Sequence, residues 1–141
     1  MTLAVKQPNP SHVRLLVLTP EYADFLWLGA LLSRDCEMEP DLTWCPDLID
    51  CDDLIRNTHF DVILWDCVFH GGSEDAFLQY LSVSSNEKPV LALSAEPASE
   101  RAVDLLANGA SDYLSRQSLE EWGLRRAVRC LWYRQQLSES A

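Results

Sequence analysis

Apolar residues fall into two rhythms that alternate along this chain. Some runs are continuous: Val13–Leu18, Val62–Trp65 and Val90–Leu93 carry almost no polar interruption. Runs of this length suit strands covered on both faces. A short strand is predicted at Asp41–Cys45, and another at Ser111–Ser115. Between the runs the apolar residues recur at helical spacing. The first helix is predicted from Thr19 as cap, with Pro20 and Glu21 in its first turn, to about Ser33, using Phe25, Leu28 and Leu32. Pro46 breaks the second strand, and Asp47–Asn57 follows as a helix with the stripe Leu48, Cys51, Ile55. Ser73 is predicted to cap a third helix over Glu74–Ser82, packing through Phe77 and Leu81. A fourth runs over Ala98–Asn108 and ends at Gly109. A fifth opens with the pair Ser118 and Glu121, spaced as a capping box, and runs over 118–138 through Leu124, Val128 and Leu131. Strands and helices thus alternate five times, which predicts an α/β fold: a doubly wound, five-stranded parallel sheet with helices on both faces, three layers in all.

Length and charge narrow the picture. The 141 residues fit one domain, and 48% hydrophobic content is that of a globular chain. A formal net charge of -11 argues against a nucleic-acid surface, which needs a positive field. No window has the apolar length of a membrane span. Residues 1–12 are expected to be a flexible lead-in without the apolar core of a signal peptide, 13–137 the folded unit, and 139–141 a tail. The five cysteines lack metal-ligand spacing to one another or to His12, His59 and His70, so free thiols in a cytoplasmic protein are expected.

Candidate chemistry centres on the stretch His59-Phe60-Asp61-Val62-Ile63-Leu64-Trp65-Asp66, whose predicted strand, Val62–Asp66, ends on a carboxylate before Gly71-Gly72. In open α/β sheets ligands gather beyond the carboxyl ends of the strands, so Asp66 stands where a site would be. Together with Pro-Val-Leu-Ala-Leu-Ser-Ala-Glu at 89–96 and Asn-Gly-Ala-Ser-Asp-Tyr-Leu-Ser-Arg at 108–116, this strand resembles the receiver domain of bacterial two-component response regulators, over about residues 13 to 137. The resemblance implies a flavodoxin-like sheet in the order 2-1-3-4-5. It implies that Asp66 holds the phosphoacceptor position, Ser94 the hydroxyl that contacts the phosphoryl group, Tyr113 the switch aromatic and Arg116 the position of a lysine. The proline usual after that lysine is Gln117 here, and His70 replaces another usual proline. The paired acids that would hold Mg²⁺ after the first strand are replaced by Leu18-Thr19-Pro20, with Glu21 one position late. A magnesium site would have to draw on Asp66, Glu21 and the Val68 carbonyl, a poor set for an ion that demands octahedral oxygen ligation. A degenerate phosphoacceptor site is therefore expected. Arg116, able to grip a carboxylate with both arms of its fork, is expected to pair with Asp66 directly.

Each of these residues also has an ordinary reading. Asp66 is a strand-end acid, Ser94 satisfies backbone, Tyr113 packs, and Asp50, Asp52 and Asp53 form a solvated helix face. The last helix stands apart. Trp122, Arg126, Arg129, Trp132 and Tyr133 lie off its core stripe, in a combination enriched in interface cores. This predicts protein association, with a homodimer through the fourth helix, fifth strand and fifth helix, and with a histidine kinase or an output domain as further partners. The protein is expected not to be an enzyme and to bind no organic cofactor. Two other functions remain open: a working receiver phosphorylated on Asp66, and a flavodoxin-like flavin- or nucleotide-binding protein. Against the latter, the loop after the first strand has no glycine- or hydroxyl-rich phosphate cradle.

Overall fold

The computed structural model describes residues 11–33, 38–67, 78–80, 88–94 and 100–140. Five parallel strands form one sheet: β1 (Ser11–Leu18), β2 (Met38–Cys45), β3 (Val62–Asp66), β4 (Val90–Ser94) and β5 (Asp112–Ser115). Their spatial order is β2-β1-β3-β4-β5. The helices are α1 (Tyr22–Leu32), α2 (Leu48–Asn57), the helical residues 78–80 that we label α3, α4 (Glu100–Ala107) and α5 (Glu121–Ser140). Most of the predicted third helix, with Ser73, Phe77 and Leu81, lies outside the described residues, as do Val68, His70 and Gly71-Gly72.

Strand alternation divides the core into two layers. Val13, Leu15 and Val17 of β1 face Leu28 and Leu32 of α1 and Leu124, Ala127, Val128 and Leu131 of α5. The intervening Leu16 and Leu18 face the opposite layer, with Cys51 and Ile55 of α2, Leu78 of α3 and Leu105 of α4. Every residue of β3 and β4 is buried, as their unbroken apolar runs predict for central strands covered on both sides. Across the sheet, Leu18 pairs with Trp65, Trp65 with Ala92, and Ala92 with Tyr113, so one row of side chains packs on the α2 and α4 side.

Four elements differ from expectation. Strand β1 begins at Ser11 rather than Val13, so the last two residues of the expected lead-in pair with Met38 and Glu39 of β2. Strand β2 begins at Met38 rather than Asp41, and Pro40 lies inside it, in register with Val13. It is an edge strand, where the missing proline N–H breaks no ladder on the open side. Helix α1 has Glu21 and not Thr19 at its N-cap, because Thr19 is buried and turned inward. Helix α5 starts at Glu121, after a 3-10 turn at Arg116–Ser118 that takes up Ser118 of the predicted capping box. Glu121 instead pairs with Arg125 at 3.0 Å. Helix α2 is capped by Asp47, whose side chain accepts the Asp50 amide at 3.0 Å. Gly109 follows α4 with φ 120°, a left-handed conformation open to glycine. Gly109→Ala is expected to cost about 1–2 kcal/mol, measured as a lower urea midpoint at unchanged slope.

Candidate functional site

The site forms where β1, β3 and β5 release the chain at their carboxyl ends. The β1–β3 register aligns Leu18 with Trp65, so the next residue of each strand, Thr19 and Asp66, meet side by side. Both are buried, and the Thr19 hydroxyl donates to Asp66 Oδ2 at 3.0 Å. That bond explains why Thr19 does not cap α1: a single hydroxyl cannot turn toward both the helix amides and the strand-end carboxylate. The Thr19 carbonyl accepts the Trp44 indole N–H at 2.9 Å, which ties the loop to β2.

A cation completes the cluster. Arg116 follows the last residue of β5, and the 3-10 turn swings its side chain back across the strand ends. One guanidinium nitrogen donates to Asp66 Oδ2 at 2.5 Å, and the other donates to Asp24 Oδ1 at 3.0 Å. The fork thus divides between two carboxylates where the sequence suggested bidentate pairing with one. Its Cζ lies over the Trp27 ring, 5.4 Å from the ring centre, a cation–π contact. Burial by itself would pull the Arg116 guanidinium down, but Asp66 and Asp24 outweigh it and hold it above its usual range.

Asp24 is the residue that sequence reasoning missed. Its signal was present: within Tyr-Ala-Asp-Phe-Leu-Trp-Leu-Gly-Ala-Leu-Leu it is the only charged side chain of α1. Glu21, singled out from sequence, is exposed, and its carbonyl receives the Asp24 and Phe25 amides. The carboxylate brought to Arg116 beside Asp66 is therefore Asp24, one helical turn further on. Ser94 lies buried at the end of β4, next to β3, with the Leu93 carbonyl accepting the Cys67 amide at 2.8 Å. Tyr113 is half-buried against the core row of Trp65 and Ala92.

Magnesium needs several oxygen ligands directed at one open point. Here Asp66 Oδ2 already receives a hydroxyl and a guanidinium, and the second carboxylate grips the same guanidinium. Among the described residues no group of three or more acidic, histidine or cysteine side chains could hold a metal ion. What the cluster does is neutralise charge: one fixed cation lies between two carboxylates, with an aromatic ring beneath it.

The predicted association surface is mixed. Trp122 and Tyr133 are exposed, and Arg126 stacks over Trp122 at 5.2 Å. Trp132 is half-buried against the core, and Arg129 is half-buried as well. No described helix is long and apolar enough to cross a membrane.

No protein-family model matches the sequence, and no curated protein matches it. Solved structures do match in shape. The receiver domain of Francisella response regulator 1452 superposes with a TM-score of 0.75 at 23% identity, covering 87% of this chain and 98% of that one. A response regulator receiver domain protein from Clostridium thermocellum gives 0.75 at 18% identity, over 89% and 98% of the two chains. The beryllofluoride-activated NtrC4 receiver domain dimer gives 0.71 at 20% identity, over 86% and 97%. With its parallel sheet in the order 2-1-3-4-5 and helices on both faces, the chain has the fold of the response regulator receiver domains.

Proposed function

We propose that this chain is a receiver-type signal-transduction module of the cytoplasm that works by protein–protein association and catalyses no reaction of its own. One observation carries the reading: the Arg116 guanidinium bridges Asp66 and Asp24 at the strand ends. Attack of a carboxylate on a phosphoryl group gathers negative charge, which a metal usually neutralises. In this chain Arg116 occupies the carboxylates that would serve such a metal. The site is then a closed latch that holds one arrangement of β3, β5 and α1 without a phosphoryl group.

Association falls to the edge formed by α4, β5 and α5. Val103, Leu106, Trp122, Tyr133 and Leu137 are exposed there, with the exposed Arg126 and Arg134 among them. Large apolar groups beside arginine suit an interface core. A histidine kinase, an output domain or a second copy of the chain would be the partner, and a homodimer is part of this reading.

The rival reading is a working receiver phosphorylated on Asp66, favoured by Ser94 at the end of the adjacent strand. Intact-mass measurement after incubation with acetyl phosphate and Mg²⁺ separates the two. No phosphoryl adduct is expected; an adduct that disappears in Asp66→Asn would replace the latch reading with the rival one.

A further inference from the structure

We infer that Cys45 and Cys51 form a redox-active dithiol, which hydrogen peroxide oxidises to an internal disulfide joining the end of β2 to the first turn of α2, and which a dithiol reductant restores. The inference goes beyond the receiver reading above and does not depend on the state of Asp66.

Both residues are free thiols and wholly buried, and a buried cysteine is ordinarily a small apolar filler. Their arrangement says more. Cys45 is the last residue of β2, and Cys51 follows the N-cap of α2, Asp47, by one helical turn. The Cys51 amide donates to the Asp47 carbonyl at 3.3 Å, and the Cys45 thiol donates to the same oxygen at 3.1 Å. One carbonyl thus gathers the two residues, and the Cys51 thiol hydrogen-bonds the Cys45 sulfur. The sulfurs are already in contact, so a disulfide asks only that they close from hydrogen-bond contact to bonding distance. Two sulfurs are too few for a zinc site, and among the described residues no group of three metal-binding side chains includes them.

The two thiols are not equivalent. The Cys51 thiol pulls Cys45 below its usual value, against the effect of burial, and the same contact together with burial pushes Cys51 up. The Cys45 sulfur also lies beside the N-terminus of α2, which favours a thiolate. Cys45 is therefore the attacking sulfur and Cys51 the resolving one. The Cys45 thiolate attacks one oxygen of hydrogen peroxide: the S–O bond forms, the O–O bond breaks, hydroxide leaves, and a sulfenic acid results. The Cys51 sulfur then attacks that sulfur: the S–S bond forms, the S–O bond breaks, and the departing hydroxide takes up the Cys51 proton as water. Two thiols lose two electrons and two protons, and one peroxide becomes two waters.

The cover over the pair is thin. Asp47, Ile49 and Asp50, in the segment between the two cysteines, are all exposed. A local opening of this segment admits a molecule as small as peroxide. In a reducing compartment the bond is transient, as in a sensing disulfide and unlike a structural one. The bridge also lies one residue from Trp44, whose indole holds the Thr19 carbonyl beside Asp66.

The test is mass spectrometry of the folded full chain after treatment with hydrogen peroxide and alkylation of the remaining thiols. Digestion before aspartates separates the two cysteines, because Asp47 and Asp50 lie between them, and leaves Cys36 in a fragment of its own. The expected product is fragment 41–46 joined to fragment 50–51, lighter than their sum by two hydrogens and released by dithiothreitol. In Cys51→Ala, Cys45 is expected to stop at the sulfenic acid and to be trapped by dimedone; in Cys45→Ala, Cys51 is expected to stay reduced. Circular dichroism checks that both variants are folded, and the linkage in the unmodified chain needs no substitution. Recovery of both cysteines fully alkylated, while the exposed Cys130 is oxidised, overturns the inference. A bridge from either residue to Cys67, in the same core layer, or to Cys36 overturns the pairing. Dimedone on Cys51 in Cys45→Ala, and none on Cys45 in Cys51→Ala, overturns the assignment of attacking and resolving sulfur.

Discussion

Arg116→Met is expected to lower the stability of the fold by about 3 kcal/mol, because it removes the cation from a buried carboxylate. Asp66 is 1% exposed, and the Thr19 hydroxyl would remain as a donor to its Oδ2. Asp24 would lose the same partner but is better hydrated, with 31% of its side chain exposed. For a domain of this size the loss corresponds to a fall of roughly 10 °C in Tm. The measurement is a double-mutant cycle in urea with Arg116→Met, Asp66→Asn and both together. Asp66→Asn in the methionine background is expected to recover much of the loss, since no charge is then stranded. Strict additivity of the two substitutions would show that the guanidinium and the carboxylate are not coupled, and the latch would fall with it.

A larger loss, about 4 kcal/mol, is expected from Trp65→Ala. Trp65 is fully buried in the central strand and belongs to the row formed by Leu18, Ala92 and Tyr113. Removing the indole leaves a cavity that two neighbouring strands cannot close, because their backbones are fixed by the sheet ladder. The same substitution loosens the support of Asp66, the next residue, and the layer that carries Tyr113. Thermal unfolding followed by near-UV circular dichroism checks the effect; a change below about 1 kcal/mol would mean that the row repacks freely.

The parts of this fold that are legible in sequence are those governed by a single physical demand. The strand Val62–Asp66 shows its observed bounds in the sequence, since continuous burial leaves a run of apolar residues and little else. The helix end at Gly109 is legible because one backbone conformation demands one residue type. Where two local roles compete, sequence reading favours the nearer one. Thr19 and Ser118 both look like helix caps, yet Thr19 answers to a carboxylate 47 residues away and Ser118 is held in the turn that aims Arg116. Pro40 conceals three residues of β2, because its cost in a strand depends on whether the strand lies at an edge, which only topology decides. The link between Arg116 and Asp66 is foreseeable from charge and family position, but the division of the fork with Asp24 is not. It depends on how α1 docks against the sheet, a packing outcome that no local pattern encodes.

The way Arg116 is supplied sets how such a site can be controlled. A free ion leaves when its concentration falls, and a chelator can strip it. A guanidinium carried on the same chain is present at an effective concentration that dilution does not change, on the order of millimolar or more for a short tether. Arginine also keeps its charge across the pH range in which proteins stay folded. Under the latch proposed above, the input would be contact: a partner that shifts α1 against β5 and draws the carboxylates at 24 and 66 apart.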